Sequence, residues 1–247
     1  MSAILTRNPV RTRARIGVIV PSVNTVVEPW FSAVAPAGVT VHAARMFLDN
    51  NLTPDALVRM DRDEGMRGMK QIMSCRPASV AYCCTASSIV QGLEYDGRLN
   101  HELHQAAGVP AFTAASAIIE ALHAVGARRI TVCSPYTQAI DDAEHDFFSA
   151  AGFEILGSSH LGIADAFKLA DPTAEEIFAL AQRAWHADAD ATLITCLNLN
   201  SQTVIADLER HTGKPVVTST QATLWKLLRA AGIEDRINGY GTLLANH

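Results

Sequence analysis

Aromatic side chains are scarce in this sequence. They make up 6% of the 247 residues, whereas 49% of the residues are hydrophobic. The apolar mass is therefore mostly alanine, valine, isoleucine and leucine, which suits buried parallel strands covered by helices. A chain of this length can bury a substantial core without disulfide bonds. The composition predicts an α/β fold.

Long apolar runs and an excess of positive charge are also missing. No segment reaches the roughly 18 to 20 uninterrupted apolar residues of a membrane helix, and the N-terminus lacks the apolar core of a signal peptide. The formal net charge of -5 argues against binding to nucleic acid or an anionic membrane. We interpret the basic stretch of Arg7, Arg11, Arg13 and Arg15 as a frayed tail. We expect a soluble, cytoplasmic protein with no nucleic-acid or membrane partner.

The cysteines do not have the spacing of a small disulfide scaffold. Their number is odd, so a disulfide framework is not predicted and reduced thiols are expected. The five are Cys75, Cys83, Cys84, Cys133 and Cys196. Reduced thiols are available for chemistry.

The common cofactor motifs are absent. The sequence has no G-x-G-x-x-G, Walker P-loop or G-x-S-x-G pattern, which removes the usual indications of a dinucleotide, a nucleotide or a hydrolase elbow. His101-Glu102-Leu103-His104 has H-E-x-H spacing instead of the H-E-x-x-H of zinc enzymes. We therefore predict neither a metal nor an organic cofactor.

A weak internal repeat organises the chain. Three segments of the first half recur in the same order in the second half, at nearly constant spacing. The first two are short apolar runs that end in a proline or a polar turn, as a buried strand does where it enters a loop. The third shares the pattern G-x-P-x-x-T-x-x-x-A. The pairs are 16–22 with 130–136, 79–85 with 191–197, and 108–113 with 213–218.

Helices are predicted between these strands. Thr53 and Pro54 supply the N-cap and first position of one helix, and Thr173 with Glu176 the capping box of another. Residues 137–150 are predicted as a third helix. Strand and helix thus alternate, which predicts two pseudo-symmetric Rossmann-like units with parallel sheets.

The first unit is predicted to comprise residues 1–113 and 223–247, and the second residues 114–222. The helix near Trp225 to Ala231 is expected to close the chain by packing back on the first unit. In open parallel sheets the ligand site lies beyond the carboxyl ends of the strands. We therefore predict the active site in the cleft between the units.

Two cysteines lie at equivalent strand ends of the repeat, Cys84 and Cys196. One such cysteine could be plain core, but a repeated pair favours a function. A modest lowering of the thiol pKa by backbone N–H groups would give a thiolate near neutral pH. A thiolate and a thiol facing a planar substrate can exchange protons with it or add to its double bond. Cys83, next to Cys84 on a strand, should point to the opposite face and pack in the core.

Several segments carry a family resemblance. They are I-G-V-I-V-P-S-V-N-T at 16–25, A-Y-C-C-T-A-S-S at 81–88, S-P-Y at 134–136, and the Cys196 segment with G-K-P-V-V-T-S-T-Q-A-T at 213–223. With these segments the chain resembles the aspartate/glutamate racemase superfamily, and within it the branch of maleate isomerases and arylmalonate decarboxylases. The resemblance covers about nine-tenths of the chain.

That resemblance implies a cofactor-independent cis-trans isomerisation of a maleate-like small dicarboxylate. Cys84 would add to an alkene carbon to form a thioether in which the former double bond can rotate, and Cys196 would be the opposing proton donor and acceptor. Neutral donors would hold the carboxylate oxygens. The implied substrate-binding residues are Pro21, Asn24, Thr85, Ser88, Tyr136 and Leu197. The resemblance also implies a homodimer or larger homo-oligomer.

Alternatives stay open at this point. Asn24 could be a turn residue that caps its own loop, and Tyr136 a packing residue at a helix start. Ala166 stands where maleate isomerases carry an asparagine that helps to bind substrate. A two-cysteine racemase or arylmalonate-type decarboxylase, acting at the carbon α to a carboxylate, is therefore a second hypothesis. A binding protein with a degenerate site is a third.

Overall fold

Two four-stranded sheets form the frame of the protein. The computed structural model describes residues 12–247. The strands are β1 (Ala14–Pro21), β2 (Val39–Met46), β3 (Ser79–Tyr82), β4 (Ala111–Thr113), β5 (Arg129–Ser134), β6 (Glu154–His160), β7 (Ala191–Ile194) and β8 (Val216–Thr218). The sheets have the orders β2-β1-β3-β4 and β6-β5-β7-β8, and all neighbours are parallel. This doubly wound order, repeated in each half, confirms the predicted fold class.

Helices connect the strands in both halves. They are α1 (Val27–Val34), α2 (Pro54–Met60), α3 (Met66–Ile72), α4 (Thr85–Gln91), α5 (Leu93–Ala107), α6 (Ala114–Ala124), α7 (Gln138–Ala150), α8 (Ala174–Ala184), α9 (Ile205–Thr212), α10 (Ser219–Ala230) and α11 (Gly241–Asn246). A π-helical turn, Asp61–Gly65, joins α2 directly to α3. None of the helices in residues 12–247 is long and apolar enough to cross a membrane.

The helix ends follow the local sequence. The Thr53 hydroxyl accepts a hydrogen bond from the Ala56 N–H at the start of α2, and Thr173 and Glu176 form the predicted capping box of α8. Gly108 and Gly213 end α5 and α9 in the left-handed region, with φ of 63° and 67°. Only glycine adopts this conformation without strain, which explains why the repeat carries glycine at both places.

The apolar core has two parts. The larger cluster extends through both halves, and the smaller one lies between the first sheet and its outer helices. Leu224, Leu227 and Leu228 of α10 belong to the smaller cluster, and the Ser79 hydroxyl of β3 donates to the Leu227 carbonyl at 2.8 Å. Helix α10, which includes Trp225, therefore packs on the first sheet, as predicted.

Two details bear on the other predictions from sequence. Arg7 and Arg11 lie outside the described residues, but the frayed-tail interpretation is wrong for Arg13 and Arg15. Arg13 pairs with Asp235 at 2.6 Å, and Arg15, inside β1, donates to the Cys75 carbonyl at 2.7 Å. The predicted unit boundary after residue 222 falls within the continuous helix α10. The division into units, which also includes residues 1–11, stays a prediction.

Candidate active site

One small cavity is lined by residues that lie at or just after strand ends in both halves. Its volume is about 40 Å³, and both Cys84 and Cys196 line it. Cys84 lies two residues after the end of β3 and is the N-cap residue of α4, and Cys196 lies two residues after the end of β7. The other predicted site residues on its wall are Pro21, Asn24, Thr85, Tyr136 and Leu197. The repeat therefore brings the two thiols to one cavity.

Ser88 is the exception among the predicted site residues. It is not on the cavity wall. It lies further along α4, fully buried, and its hydroxyl has no hydrogen-bond partner in residues 12–247. Successive turns of a helix rise about 5.4 Å, so a residue next to the N-cap and one three positions later reach different depths. Thr85 is on the wall, and its hydroxyl donates to that of Ser219 at 3.2 Å.

The thiol of Cys84 is held in its neutral form. Burial raises the pKa of Cys84 to about 12, the carboxylate of Asp61 adds to the rise, and the N–H and hydroxyl of Ser87 oppose it. A thiolate at Cys196 would raise the pKa of Cys84 further, because like charges close together disfavour each other. The lowered thiol pKa expected from the sequence is wrong, because burial outweighs the nearby donors.

Cys196 has a strained backbone. Its φ is 82°, in the left-handed region that residues with a Cβ seldom adopt, whereas φ at Cys84 is −135°. Burial raises the pKa of Cys196 to about 12, and donors from the Asn198 and Leu199 N–H groups and the Tyr136 hydroxyl oppose the rise. The turn that strains Cys196 thus also directs backbone N–H groups towards its sulfur.

Asn24 has a structural role in addition to its place on the wall. Its side-chain oxygen accepts hydrogen bonds from the N–H groups of Val26 at 3.0 Å and Val27 at 2.9 Å. The side-chain oxygen of Asn24 therefore caps its own loop, as the alternative interpretation expected. The amide nitrogen forms no hydrogen bond within the described part of the chain, which leaves it available to a ligand in the cavity.

Asn198 is a wall residue that the sequence did not reveal. Its side-chain oxygen accepts from the Thr25 N–H at 2.9 Å, and its amide donates to the carbonyls of Ala166 at 3.1 Å and Val23 at 3.4 Å. It therefore ties the loop after β1 to two loops of the second half. Its position two residues after Cys196 was the one available signal, because polar residues after a strand end often bind ligands.

Tyr136 supplies a neutral donor. It is almost fully buried, and burial raises its pKa well above the usual value for tyrosine, so the hydroxyl keeps its proton near neutral pH. No residue on the cavity wall is a lysine, arginine or histidine. An anion bound here would be held by neutral, fixed donors.

Part of the cavity wall is apolar. It consists of Leu48, Leu52, Leu57, Ala166 and Leu169. Two loops, one from each half, meet above it: the Leu52 N–H donates to the Ala164 carbonyl at 2.9 Å, and the Ala166 N–H to the Asn50 carbonyl at 2.7 Å. The two loops form an antiparallel bridge between Asn51 and Asp165, next to the wall residues Leu52 and Ala166.

Comparison with known proteins agrees with this geometry. A family model described as arylmalonate decarboxylase matches residues 16–244. The chain belongs to the arylmalonate decarboxylase family. The resemblance inferred from the sequence, to a branch that includes these decarboxylases, is confirmed.

Three known proteins are similar to this chain over nearly its whole length. Maleate isomerase of Pseudomonas putida is 29% identical over 244 residues, which are 94% of this chain and 97% of the relative. Arylmalonate decarboxylase of Bordetella bronchiseptica is 27% identical over 234 residues, 90% and 96% of the two chains. The crystal structure of maleate isomerase Iso from Pseudomonas putida S16, a cysteine-to-alanine variant with maleate, has a TM-score of 0.89 and 28% identity, covering 94% and 97%. This arylmalonate decarboxylase family member is an enzyme of the isomerase type, as predicted.

We searched the described residues for side chains that could bind a metal ion. Among the residues that the structure describes, no cluster of His, Cys, Asp and Glu side chains could hold a metal ion. His101 and His104 lie exposed on α5, away from the cavity. The residues with polar side-chain groups on the cavity wall are three cysteines (Cys83, Cys84 and Cys196), one tyrosine, two asparagines and one threonine.

Proposed function

We propose that the protein catalyses the cis-trans isomerisation of a maleate-like small dicarboxylate, without a cofactor, through Cys84 and Cys196. The observation that carries this proposal is the presence of both thiols on the wall of one small cavity that also offers neutral donors. Two sulfur atoms supplied by equivalent strand ends can approach a flat substrate from different sides.

The reaction follows from the chemistry of the two thiols. The Cys84 thiolate adds to one alkene carbon, the π electrons move towards the neighbouring carbon and its carboxylate, and the Cys196 thiol protonates that carbon. The former double bond is then a single bond and rotates. The Cys196 thiolate removes the proton again, the carbon–sulfur bond breaks, and the trans alkene leaves.

The neutral donors have a role at the charged stage of this sequence. Negative charge moves onto a carboxylate as Cys84 adds, and donors that are already in place stabilise that charge without reorganisation. The Asn24 amide and the Tyr136 hydroxyl are the candidates on the wall. Similarity to maleate isomerases over most of the chain supports this choice of reaction.

A second candidate is a racemase or decarboxylase that acts at the carbon α to a carboxylate. The specific observation in its favour is the apolar wall, where Ala166 stands beside four leucines. Such a surface suits an apolar substituent better than a second carboxylate, because a desolvated carboxylate without a partner is costly. The similarity to arylmalonate decarboxylase points the same way.

Proton NMR of the protein with maleate in D₂O separates the candidates. Fumarate appears if the proposal holds, and Cys84→Ser or Cys196→Ser lowers turnover by about 10³-fold or more. Cys75→Ser is the matched control, because the half-buried Cys75 thiol donates to the Ile72 carbonyl at 3.1 Å away from the cavity. Normal turnover in either active-site variant excludes the mechanism. A second sample, with an α-substituted malonate in place of maleate, tests the second candidate: deuterium that enters the position next to the remaining carboxylate, with no fumarate from the first sample, favours it.

We also propose a cytoplasmic location and a homo-oligomeric state. All five cysteines are free thiols, which suits a reducing compartment. Cell fractionation tests the location, where recovery outside the cytoplasm would contradict it. Light scattering after gel filtration tests the assembly, where a mass near 26.5 kDa would mean a monomer.

A further inference from the structure

The loop after β1, which carries Asn24, is bound by a guanidinium group that is not on the cavity wall. Arg45 is the next-to-last residue of β2, the neighbour of β1 in the first sheet. Its Nη1 donates to the Ser22 carbonyl at 2.9 Å and to the Asn24 carbonyl at 3.1 Å. Carbonyls in a loop lack the partners that a strand or helix supplies, so they need donors from elsewhere. A single side chain serves both of these carbonyls.

The guanidinium group of Arg45 is itself held in place. Its Nη2 forms an ion pair with the carboxylate of Glu28, in the first turn of α1. Because the group is planar and its N–H directions are fixed, bonds from two of its nitrogens determine its orientation. The two side chains are 44% and 34% exposed, and an ion pair this exposed contributes little to the free energy of folding. The arrangement matters more for the geometry of the loop than for stability.

Asn24 is fixed through both its backbone and its side chain. Its N–H donates to the Pro21 carbonyl at 2.9 Å, and its own carbonyl accepts from Arg45. The side-chain oxygen accepts from the N–H groups of Val26 and Val27. The side-chain amide nitrogen is the polar atom left over, in a residue that is 3% exposed and on the cavity wall. These bonds leave the amide nitrogen one place to be.

Other contacts bind the loop on both sides of Asn24. The Ser22 hydroxyl accepts from the Leu48 N–H at 3.1 Å, and the Thr25 N–H donates to the side-chain oxygen of Asn198 at 2.9 Å. Neither contact reaches the Asn24 carbonyl. Within residues 12–247, the donor to that carbonyl is the guanidinium group of Arg45.

We propose, building on the isomerase function above, that Arg45 is a positioning residue for the reaction. Through the carbonyls of Ser22 and Asn24, it holds the Asn24 amide where that amide donates to a carboxylate of the substrate. A donor that is in place beforehand stabilises negative charge without reorganisation. A displacement of about 1 Å can cost up to about 10²-fold in rate. Arg45 thus affects turnover without touching the substrate.

The first sheet also contains a matched control for Arg45. Arg15, the second residue of β1, is another exposed arginine on a strand. Its Nε donates to the Cys75 carbonyl at 2.7 Å, and its Nη2 to the Arg76 carbonyl at 3.0 Å. These contacts lie at the amino ends of the parallel strands, whereas Arg45 lies at the carboxyl ends, where the cavity is. Arg15→Met and Arg45→Met therefore remove the same kind of contact from two different loops.

The first measurement is fumarate formation from maleate by the full chain. We expect Arg45→Met to lower kcat/KM by about tenfold with a rise in KM, and Arg15→Met to stay within about twofold of wild type. A smaller folded fraction would lower kcat and leave KM unchanged. Arg45→Lys, which keeps the charge but not the planar fork, should lie between wild type and Arg45→Met. Equal values for Arg45→Met and Arg15→Met, or full activity in Arg45→Lys, overturn the proposal.

A double-mutant cycle tests whether Arg45 acts through Asn24. Asn24→Ser removes the amide nitrogen but keeps an oxygen that can accept from the N–H groups of the loop. Arg45→Met should then have little further effect on kcat/KM in the Asn24→Ser background. Losses that multiply overturn the proposal, because Arg45 would then act independently of Asn24. Thermal unfolding confirms that each variant is folded, and Arg45→Lys replaces Arg45→Met in the cycle if Arg45→Met is not.

The side-chain amide of Asn24 gives a readout that needs no activity. Its ¹H–¹⁵N resonances are identified by their loss in Asn24→Ser. We expect them to move in Arg45→Met and to stay in place in Arg15→Met. Failure of the isomerase function is a separate result: wild type then forms no fumarate, while the resonances still move in Arg45→Met. Fumarate formation with resonances that do not move rejects the role of Arg45 and keeps the isomerase.

Discussion

Replacing Cys196 by glycine should harm stability less than replacing Cys84 by glycine. Both substitutions remove one thiol from the wall of the same cavity, and the two cysteines are similarly buried, at 4% and 7% exposure. The lost packing and the added freedom of glycine in the unfolded chain are therefore comparable. The backbones differ, because φ is 82° at Cys196 and −135° at Cys84.

The expected difference comes from relief of strain. A residue with a Cβ in the left-handed region costs of the order of 1–3 kcal/mol, and glycine removes that cost at Cys196 alone. The Cys196→Gly variant should thus be more stable than Cys84→Gly by about 1–3 kcal/mol. For a chain of this size each kcal/mol corresponds to about 2–4 °C in Tm.

Urea unfolding followed by circular dichroism, with Tm from calorimetry, measures this difference. Cys196→Ala and Cys84→Ala are matched controls, because alanine removes the thiol but keeps the Cβ that causes the strain. We expect the alanine pair to differ by less than the glycine pair. A Cys196→Gly variant as unstable as Cys84→Gly would mean that the turn stores no strain.

Three further predictions follow from the site and the surface. Ala166→Asn should raise kcat/KM for maleate, because an amide would replace part of the apolar wall, and a lower value would show that the wall has another purpose. Asn198→Leu removes three hydrogen bonds and should lower the free energy of unfolding by about 1–3 kcal/mol in urea titrations, a loss that an unchanged midpoint would contradict. The N–H and guanidinium groups of Arg129 lower the pKa of Asp190 to about 2, so its stabilisation is present above the unfolded pKa of about 3.9 and is lost as pH falls through about 2. The Tm difference between wild type and Asp190→Asn should accordingly be largest near neutral pH and should become small by pH 2. A difference that stays large at pH 2 would show that the Asp190 carboxylate is not the source of this stabilisation.

The architecture was predictable because strand ends are marked locally. The runs at 16–22 and 130–136 end at proline, and the glycines at 108 and 213 recur because both helices end in the left-handed conformation. The repeat then placed Cys84 and Cys196 at corresponding strand ends, since corresponding segments of two like units have corresponding positions. These inferences need only short-range patterns and one symmetry argument.

Other details of the site did not follow from short-range patterns. Ser88 was assigned to the site from the family resemblance, but in this structure it lies one turn further along α4 and is not on the cavity wall. Asp61 gave no sequence signal, because its partners come from β3, α4 and α5 and the π-helical turn that directs it has no simple sequence pattern. The direction of the thiol pKa was also wrong, because the degree of burial of a strand end depends on what the other half places over it.

The two loops joined by the Asn51–Asp165 bridge constrain each other's movement. Each contributes one amide and one carbonyl to the other, so lifting either segment leaves polar groups on both without partners. The two halves are therefore joined beside the cavity by hydrogen bonds as well as by apolar packing. A displacement of one loop is expected to displace the other.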